Sequence, residues 1–299
     1  MEKVLFILGP TGVGKSKMAV DLAQKFNGEI ISADSVQVFC NLDIGSAKIT
    51  KEEMQNVPHH CIDILPPDAE FSVFEFVEMT KKKIEEIVSR HHLPIIVGGT
   101  GLYVKALILG YDFGGSGKKT ERREELRSIA KEKGLDFLYE KLVKMSPEMA
   151  ENISRNDEKR IVRAIEICEL GEKPKMNESN IDAMIFSLDR ERSVLYDKIN
   201  KRVDKMISDG LVDEVKGLLK KGLNENNQSM KAIGYKEVVS YLKNEISYDE
   251  MVELIKKHSR NYAKRQLTFN RGIEGLTFID VENYEQAKKD IEKKVGEWL

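Results

Sequence analysis

Apolar and polar positions alternate between two patterns over the first hundred residues. Short apolar runs of strand length occur at residues 3–8, 29–32 and 93–97. Between them, residues 17–26 carry apolar side chains at helical spacing, and Ser-Val-Phe-Glu at 72–75 has the form of a capping box that opens a helix. This alternation predicts an α/β protein with a parallel sheet and helices on both faces.

Two further segments complete the predicted sheet region. The apolar run 61–65, closed by two prolines, predicts a third strand just after His59 and His60. With no third ligand nearby, we expect these histidines to be structural rather than metal ligands. The glycines at 98–101 predict a tight turn into another helix. Ligands of such sheets bind at the carboxyl ends of the strands. Those ends carry residues 9–16, Asp34, Ser35 and Thr100.

The pattern becomes helical after a glycine-rich break at 114–117. Helices are predicted at 120–133 and 156–171, and the apolar run 183–188 indicates a return to the sheet. The last third is mostly helical, with one more strand predicted at 276–280. A helical insertion within an α/β core fits this order best. The predicted domains are a core, 1–116 and 183–299, and an all-helical insertion, 117–182.

Composition narrows the class of protein. The 299 residues are 41% hydrophobic and 33% charged, with a net charge of −2, so any basic surface has to be local. The three cysteines lie far apart without a CxxC motif, which argues against a disulfide framework or a zinc site. The first apolar run is too short for a secretion signal, and no stretch approaches the ~20 apolar residues of a membrane span. We therefore expect a cytoplasmic protein without a membrane partner.

One glycine-rich motif carries the strongest chemical signal. It follows the first predicted strand, precedes a predicted helix and matches the P-loop pattern GxxxxGK[ST] in full. Its residues are Gly9, Pro10, Thr11, Gly12, Val13, Gly14, Lys15 and Ser16. Backbone N–H groups of such a loop bind phosphate oxygens, Lys15 would neutralise their charge, and the Ser16 hydroxyl would hold Mg²⁺. The motif predicts a di- or triphosphate ligand without identifying it.

The second chemical candidate is Asp34, which follows the second predicted strand and would face the P-loop. Its position is compatible with a general base, a group that supports a bound metal, or a loop aspartate that caps a turn. After Val97, where many P-loop enzymes carry a metal-binding aspartate, the chain has Gly-Gly-Thr ending at Thr100. A threonine supplies no negative charge, which disfavours an ATPase. The absence of an Asn-Lys-x-Asp motif disfavours a GTPase.

Two local basic stretches indicate RNA as a partner. One consists of Lys159, Arg160, Ile161, Val162 and Arg163. The other, 256–271, holds six Lys or Arg residues and no acidic one. Lys257, Arg260, Lys264 and Arg271 share one helical face by spacing, along which a phosphate backbone could lie. A solvated surface helix is the alternative reading of each stretch alone.

These features together resemble the tRNA dimethylallyltransferase family over essentially the whole chain. The resemblance rests on the residues at 9–16, 31–38, 42–48, 58–60, 97–103, 156–157, 232–237 and 263–268. It implies transfer of a dimethylallyl group from dimethylallyl diphosphate to N6 of the adenosine 3′-adjacent to the anticodon in tRNA, with Mg²⁺ as cofactor. It also implies a P-loop NTPase-like fold and a monomeric protein. Asp34 would then be the general base. Lys15, Thr100 and Arg202 would stabilise the diphosphate.

The resemblance also implies which residues bind tRNA. They are Asp34, Ser35, Val36, Gln37, Thr100, Lys159, Arg160, Ile161, Val162, Arg163, Lys231, Gly234, Tyr235, Lys236, Arg260, Lys264 and Arg265. The chain departs from the family pattern at Cys40, Asn41, Ser46 and Asn270, none of which belongs to the predicted phosphate site.

Three other functions share some of these features. A small-molecule kinase would share the P-loop and Asp34, and a prenyltransferase acting on free AMP or ADP would share the chemistry. Neither needs two basic segments. An RNA-binding NTPase switch would need the carboxylate that the chain lacks after Val97.

Overall fold

A computed structural model describes residues 1–112, 121–171, 175–176 and 180–299. The predicted break at 114–117 lies outside the described residues. The strands are β1 (Glu2–Leu8), β2 (Gly28–Ala33), β3 (His59–His60), β4 (Leu93–Gly98), β5 (Tyr111–Asp112), β6 (Lys175–Met176), β7 (Ile181–Asp189) and β8 (Leu276–Asp280). The α-helices are α1 (Lys15–Lys25), α2 (Lys51–Met54), α3 (Val73–Ser89), α4 (Gly101–Ile108), α5 (Glu121–Lys133), α6 (Leu135–Met145), α7 (Pro147–Glu151), α8 (Glu158–Leu170), α9 (Arg192–Ser208), α10 (Leu211–Lys220), α11 (Tyr235–Leu242), α12 (Tyr248–Asn270) and α13 (Tyr284–Trp298).

Six strands form one parallel sheet in the order β3-β2-β4-β1-β7-β8. Every residue of β2 and β4 is buried, because helices cover both faces of a parallel sheet. The non-sequential order places the carboxyl ends of β1, β2 and β4 side by side. The predicted α/β class with a parallel sheet is confirmed, and so is the capping box at Ser72 that starts α3.

The predicted third strand is wrong in position. The strand is His59–His60, paired with Ile30 and Ile31 of β2. The segment that follows cannot continue it, because Cys61 and Asp63 have positive φ angles of 61° and 53°. Its apolar run is not a core strand, because only Cys61 is buried and Ile64 is 41% exposed.

The chain divides into two compact units, residues 1–108 with 180–299, and residues 109–179. The sequence placed the boundaries at 116/117 and 182/183. The second unit packs α5, α6, α7 and α8 around Leu126, Leu138, Leu142 and Ile165. It is not all-helical as predicted, because Lys175–Met176 pairs antiparallel with Tyr111–Asp112. No helix in the described part of the chain is both long and apolar enough to cross a membrane.

Candidate active site

The glycine-rich loop connects β1 to α1 at the carboxyl edge of the sheet. A Cβ at Gly9 would lie 2.6 Å from the carbonyl oxygen of Leu188 on β7, so only glycine allows the loop to pass this close to the neighbouring strand. Gly14 has a φ of 108° and caps α1, which begins at Lys15. The free N–H groups of the first turn of α1 therefore point toward the loop, as an anion site requires.

Two cations meet at this loop from distant parts of the sequence. Lys15 Nζ donates to the carbonyl of Pro10 at 2.8 Å, and Nη1 of Arg202, from α9, donates to Thr11 Oγ1 at 3.2 Å. Burial, with a smaller effect of Arg202, lowers the pKa of Lys15 to about 7. Burial also lowers the pKa of Arg202, partly opposed by Asp34 and Glu53. Among the described residues neither cation forms a direct ion pair, which leaves both available to an anion.

Asp34 follows β2 and faces the same cleft as Lys15 and Ser16. Its Oδ1 accepts hydrogen bonds from the backbone N–H groups of Val36 at 2.8 Å and Gln37 at 3.2 Å. The turn-capping role that the sequence left open is therefore real. Within the described residues Oδ2 accepts no hydrogen bond, so the cap fixes the carboxylate and leaves one oxygen available to a substrate.

A threonine and a tyrosine lie next to Asp34. The buried hydroxyl of Thr100, just after β4, makes no hydrogen bond of standard geometry among the described residues, although it lies close to the Tyr262 phenol. The Tyr262 phenol of α12 is close by: burial, with Asp34 adding to it, raises the pKa of Tyr262 to about 12, although Thr100 and Gln266 oppose the shift. A buried hydroxyl without a well-formed hydrogen bond costs folding free energy, so Thr100 is a candidate contact for a bound ligand.

The cleft beside Asp34 is lined by both polar and apolar side chains. Its polar lining includes Thr11, Lys15, Ser16, Asp34 and Arg202. Its apolar lining includes Ala19, Ile30, Ile49, Ile62 and Val97. This composition suits a ligand that has both a charged part and a short hydrocarbon part. A second, wider cleft meets the first at Lys15, Ser16, Ala47, Ile49 and Arg202.

Ser16 is the predicted Mg²⁺ ligand. It is exposed at the start of α1 and lines both clefts. No group of three or more His, Cys, Asp or Glu side chains suited to a metal occurs among the described residues. Mg²⁺ that accompanies a diphosphate needs few protein ligands, because phosphate oxygens and water complete its octahedron. A single hydroxyl at the P-loop therefore fits Mg²⁺ brought in with a diphosphate.

The predicted tRNA-binding stretch of the second unit is only partly at the surface. Lys159 and Arg160 are exposed on α8. Ile161 and Val162 are 0% and 1% exposed within the core of this unit, so within the predicted stretch 159–163 these two side chains are not at the surface. The helical period explains this, because α8 needs an apolar face. Arg163 Nη1 lies 2.6 Å from the buried carboxylate of Glu166.

The predicted contacts of the first unit also divide by burial. Lys231 and Lys236 are exposed, whereas Tyr235 is fully buried and cannot present its ring to tRNA. Gly234 is buried as well. Tyr235 lies at the first position of α11, where the ring turns toward the core.

On α12, Lys264 and Arg265 are exposed as predicted. Arg260 instead donates to Asn200 Oδ1 at 2.6 Å. The basic face predicted from Lys257, Arg260, Lys264 and Arg271 is shorter than expected. The reason is that α12 ends at Asn270 and Arg271 is its C-cap.

Ser35, Val36 and Gln37 are half-buried beside the cleft. The Gln37 side chain is held internally, since Nε2 donates to the carbonyls of Ser46 at 3.3 Å and Ala47 at 3.4 Å. Its Oε1 accepts from Ser32 Oγ at 3.2 Å. Gln37 therefore shapes the wall of the cleft.

Sequence reasoning missed three side chains that shape this site. Gln266 and Tyr262 reach it from α12, and Glu214 of α10 holds the loop that contains Ala47. All three are distant in sequence from the P-loop. Gln266 lies within the stretch 263–268 that carries the family resemblance, but the resemblance gave it no role in the site, and Tyr262 and Glu214 lie outside those stretches. Only the fold shows that all three shape the site.

The parallel sheet, the glycine-rich loop at its carboxyl edge and the paired cations define a P-loop-like α/β protein with an anion-binding cleft. A family model described as IPP transferase matches residues 37–272, and one described as isopentenyl transferase matches residues 2–65. The tRNA dimethylallyltransferase of Thermoanaerobacter sp. (strain X514) is 48% identical, covering 97% of this chain and 96% of its own.

Two solved structures are similar over 99% of this chain. The tRNA isopentenylpyrophosphate transferase of Bacillus halodurans is 42% identical with a TM-score of 0.77, covering 96% of that chain. A eukaryotic dimethylallyltransferase acting on tRNA is 29% identical with a TM-score of 0.84, covering 78% of that chain. The chain belongs to the tRNA dimethylallyltransferase family, and it is a transferase of the prenyl-transferring class.

Proposed function

We propose that this enzyme transfers a dimethylallyl group from dimethylallyl diphosphate to N6 of the adenosine 3′-adjacent to the anticodon in tRNA. The observation that carries the proposal is the shared cleft of Asp34, Lys15 and Arg202. A potential base and two cations face one space, which is what displacement of a diphosphate by an amine requires. Family membership supports the same reaction.

The leaving group is stabilised by the P-loop side of the cleft. The carbon–oxygen bond of the substrate breaks, and its electron pair departs with the diphosphate. Lys15, Arg202 and the free N–H groups at the start of α1 neutralise that charge. Ser16 would hold Mg²⁺, which supplies further positive charge to the diphosphate when bound. Because the pKa of Lys15 is lowered to about 7, part of the lysine is neutral in the free protein. A bound anion raises this pKa and so favours the protonated lysine.

The nucleophile is activated on the Asp34 side. The N6 lone pair is delocalised into the adenine ring, so the amine attacks effectively only as its proton is removed. The new carbon–nitrogen bond forms and the N6 proton passes to Oδ2 of Asp34, the carboxylate oxygen without an internal partner in the described structure. The turn cap on Oδ1 keeps the carboxylate in place. The buried Thr100 hydroxyl is available to hydrogen-bond a substrate atom.

The base must leave the stack of the anticodon loop to reach this cleft. Exposed Lys264 and Arg265 on α12 would hold the RNA backbone on the first unit, and Lys159 and Arg160 would do so on the second. The apolar side chains of Ile30, Ile49 and Ile62, which line the cleft, suit the five-carbon tail of dimethylallyl diphosphate.

A direct transfer assay tests the proposal. The protein is mixed with Mg²⁺ and dimethylallyl diphosphate, and with either an unmodified anticodon stem-loop or AMP. We expect mass spectrometry to show one added C5H8 unit on the RNA only. Addition to AMP alone would indicate a free-nucleotide prenyltransferase. No addition to either, with folded protein, would contradict prenyl transfer and favour a kinase or an NTPase.

A further inference from the structure

The short loop from Asp43 to Ala47 contributes side chains to both clefts. It also contacts Arg202, the arginine proposed to bind the diphosphate. The Ala47 carbonyl accepts from Arg202 Nη2 at 3.4 Å and from Gln37 Nε2 at 3.4 Å. Apart from its bond to Thr11 Oγ1, this is the hydrogen bond that orients the Arg202 guanidinium in the described structure. The position of the loop therefore contributes to the direction of the Arg202 guanidinium, together with the bond to Thr11.

This loop is anchored by one carboxylate. Glu214 Oε2 accepts from the N–H groups of Asp43 at 3.0 Å and Ile44 at 2.8 Å, and Oε1 accepts from that of Gly45 at 3.2 Å. Three consecutive N–H groups that converge on one anion form a nest, a geometry that restrains the backbone strongly. Hydrogen bonds to a charged acceptor are about twice as strong as neutral ones.

A buried tyrosine completes the anchor. Tyr235 Oη donates to Glu214 Oε1 at 2.7 Å, and burial followed by the charge of Glu214 raises the pKa of Tyr235 far above its usual range. A side chain at Gly45 would collide with the Tyr235 ring, so the loop packs directly on it. Among the described residues no Lys or Arg pairs with Glu214. Its carboxylate therefore serves backbone N–H groups and one phenol rather than an ion pair.

We propose that Glu214, supported by Tyr235, is a positioning residue for Arg202, acting through the Asp43–Ala47 loop. The inference rests on the proposed role of Arg202 in binding the diphosphate. Loss of the anchor leaves the Ala47 carbonyl held mainly by the long hydrogen bond from Gln37, so the loop can shift and the guanidinium can move away from the P-loop. A displacement of about 1 Å is enough to cost up to ~100-fold in activity.

The test is a double-mutant cycle between Glu214 and Arg202. Affinity for inorganic diphosphate with Mg²⁺ is measured by calorimetry for wild type, Glu214→Gln, Arg202→Ala and the double variant. We expect Glu214→Gln to weaken binding by about tenfold or more in the Arg202 background and by less than about threefold in the Arg202→Ala background. tRNA affinity should change by less than about twofold.

The matched control is Asp213→Asn, which removes the same charge from the adjacent, exposed position of α10. It should change diphosphate affinity by less than about twofold. Equal losses from Glu214→Gln in both backgrounds, or an equal loss from Asp213→Asn, would overturn the inference.

A second variant, Tyr235→Phe, keeps the ring against Gly45 and removes only the phenol donor. It should weaken diphosphate binding less than Glu214→Gln does, and the loss should again depend on Arg202. This variant keeps the inference testable if Glu214→Gln folds poorly. A loss independent of Arg202 would count against the proposal. The proposed function fails separately, if wild-type protein does not prenylate the stem-loop.

Discussion

Gln266 Oε1 accepts a hydrogen bond from the backbone N–H of Thr11 at 2.9 Å, and its Nε2 donates to the carbonyl of Gly99 at 3.0 Å. One side chain of α12 thus joins the P-loop to the end of β4. Gln266 itself is 5% exposed, whereas Thr11 and Gly99 are half-buried where they line the cleft. The same helix also carries exposed Lys264 and Arg265.

We expect Gln266→Ala to affect both stability and substrate binding. It leaves the Thr11 N–H and the Gly99 carbonyl unpaired, which should lower the free energy of unfolding by about 1–3 kcal/mol in urea titration. It should also raise KM for dimethylallyl diphosphate more than KM for tRNA, because the P-loop is no longer fixed. The control is Thr268→Ala, which removes an exposed hydroxyl from the same helix. Equal effects of both variants would contradict the prediction.

The sequence predicted the parts of the site that lie in continuous motifs. The P-loop between β1 and α1 and the start of α3 are encoded by neighbouring residues, so local pattern sufficed. Local pattern failed at 61–65, where positive φ angles at Cys61 and Asp63 stop the strand. The family resemblance, rather than a local pattern, placed Tyr235 among the tRNA contacts, and the structure buries its ring.

The remaining parts of the site depend on contacts across the fold. Gln266 lies 255 positions from Thr11 along the chain, and no sequence spacing predicts their hydrogen bond. Glu214 is a common type of residue in the first turn of a helix, where it would ordinarily complement the helix dipole. Only the packing of α10 against the Asp43–Ala47 loop gives it a role in the site.

Asp34→Asn separates the two roles of this side chain. Asparagine keeps an oxygen that can cap the turn at Val36 and Gln37, but it cannot accept the N6 proton. We expect kcat to fall by ~10²-fold or more for Asp34→Asn and for Asp34→Ala, with little change in tRNA affinity. Near-normal turnover of Asp34→Asn would show that the residue serves only as a turn cap.

Charge reversal at Lys264 and Arg265 tests the RNA surface of α12. The double variant Lys264→Glu/Arg265→Glu should weaken tRNA binding and flatten its dependence on salt, because each lost phosphate contact removes counterion release. Filter binding over a range of salt concentrations measures both. The control is the same reversal at exposed Lys293 and Lys294 on α13. An unchanged salt slope for the α12 variant would mean that this face is only solvated.

The lowered pKa of Lys15 predicts proton uptake on ligand binding. With a pKa of about 7, the lysine is largely neutral at pH 8, and a bound diphosphate raises that pKa and draws a proton from solution. Uptake should vanish near pH 6, where the free protein is already protonated. Calorimetry of inorganic diphosphate with Mg²⁺ in two buffers of different ionisation enthalpy measures it.

Lys15→Arg is the matched control for this measurement, because arginine stays charged throughout the range. The part of the uptake that belongs to Lys15 should disappear in this variant, leaving only the ionisation of the ligand itself. Equal uptake by wild type and Lys15→Arg would show that the lysine does not titrate there.

A second ionic cluster lies at the amino end of β2, the edge of the sheet opposite the P-loop. Glu29 is 3% exposed, and its carboxylate lies 2.6 Å from the His60 ring and 2.7 Å from the His92 ring. Arg90 Nη2 donates to both of its oxygens at 2.9 Å. Although burial raises it, hydrogen bonds from these three side chains bring the pKa of Glu29 below its usual range. His60 thus has the structural role expected from the sequence.

Glu29→Gln should therefore destabilise the protein without changing its chemistry. Removing the charge weakens the hydrogen bonds from His60, His92 and Arg90. Because the Arg90 side chain is 45% exposed, water replaces part of that loss, and the free energy of unfolding should fall by about 1–2 kcal/mol near pH 7. Because the folded-state pKa of Glu29 is lowered, its contribution is complete above the unfolded carboxyl pKa of about 4.3 and is lost as pH falls through the folded value. The difference between wild type and variant in urea titrations should accordingly shrink below about pH 4. Glu78→Gln, on the exposed pair with Lys81, should cost less than about 0.5 kcal/mol. A fall in kcat of folded Glu29→Gln would instead connect this cluster to the active site.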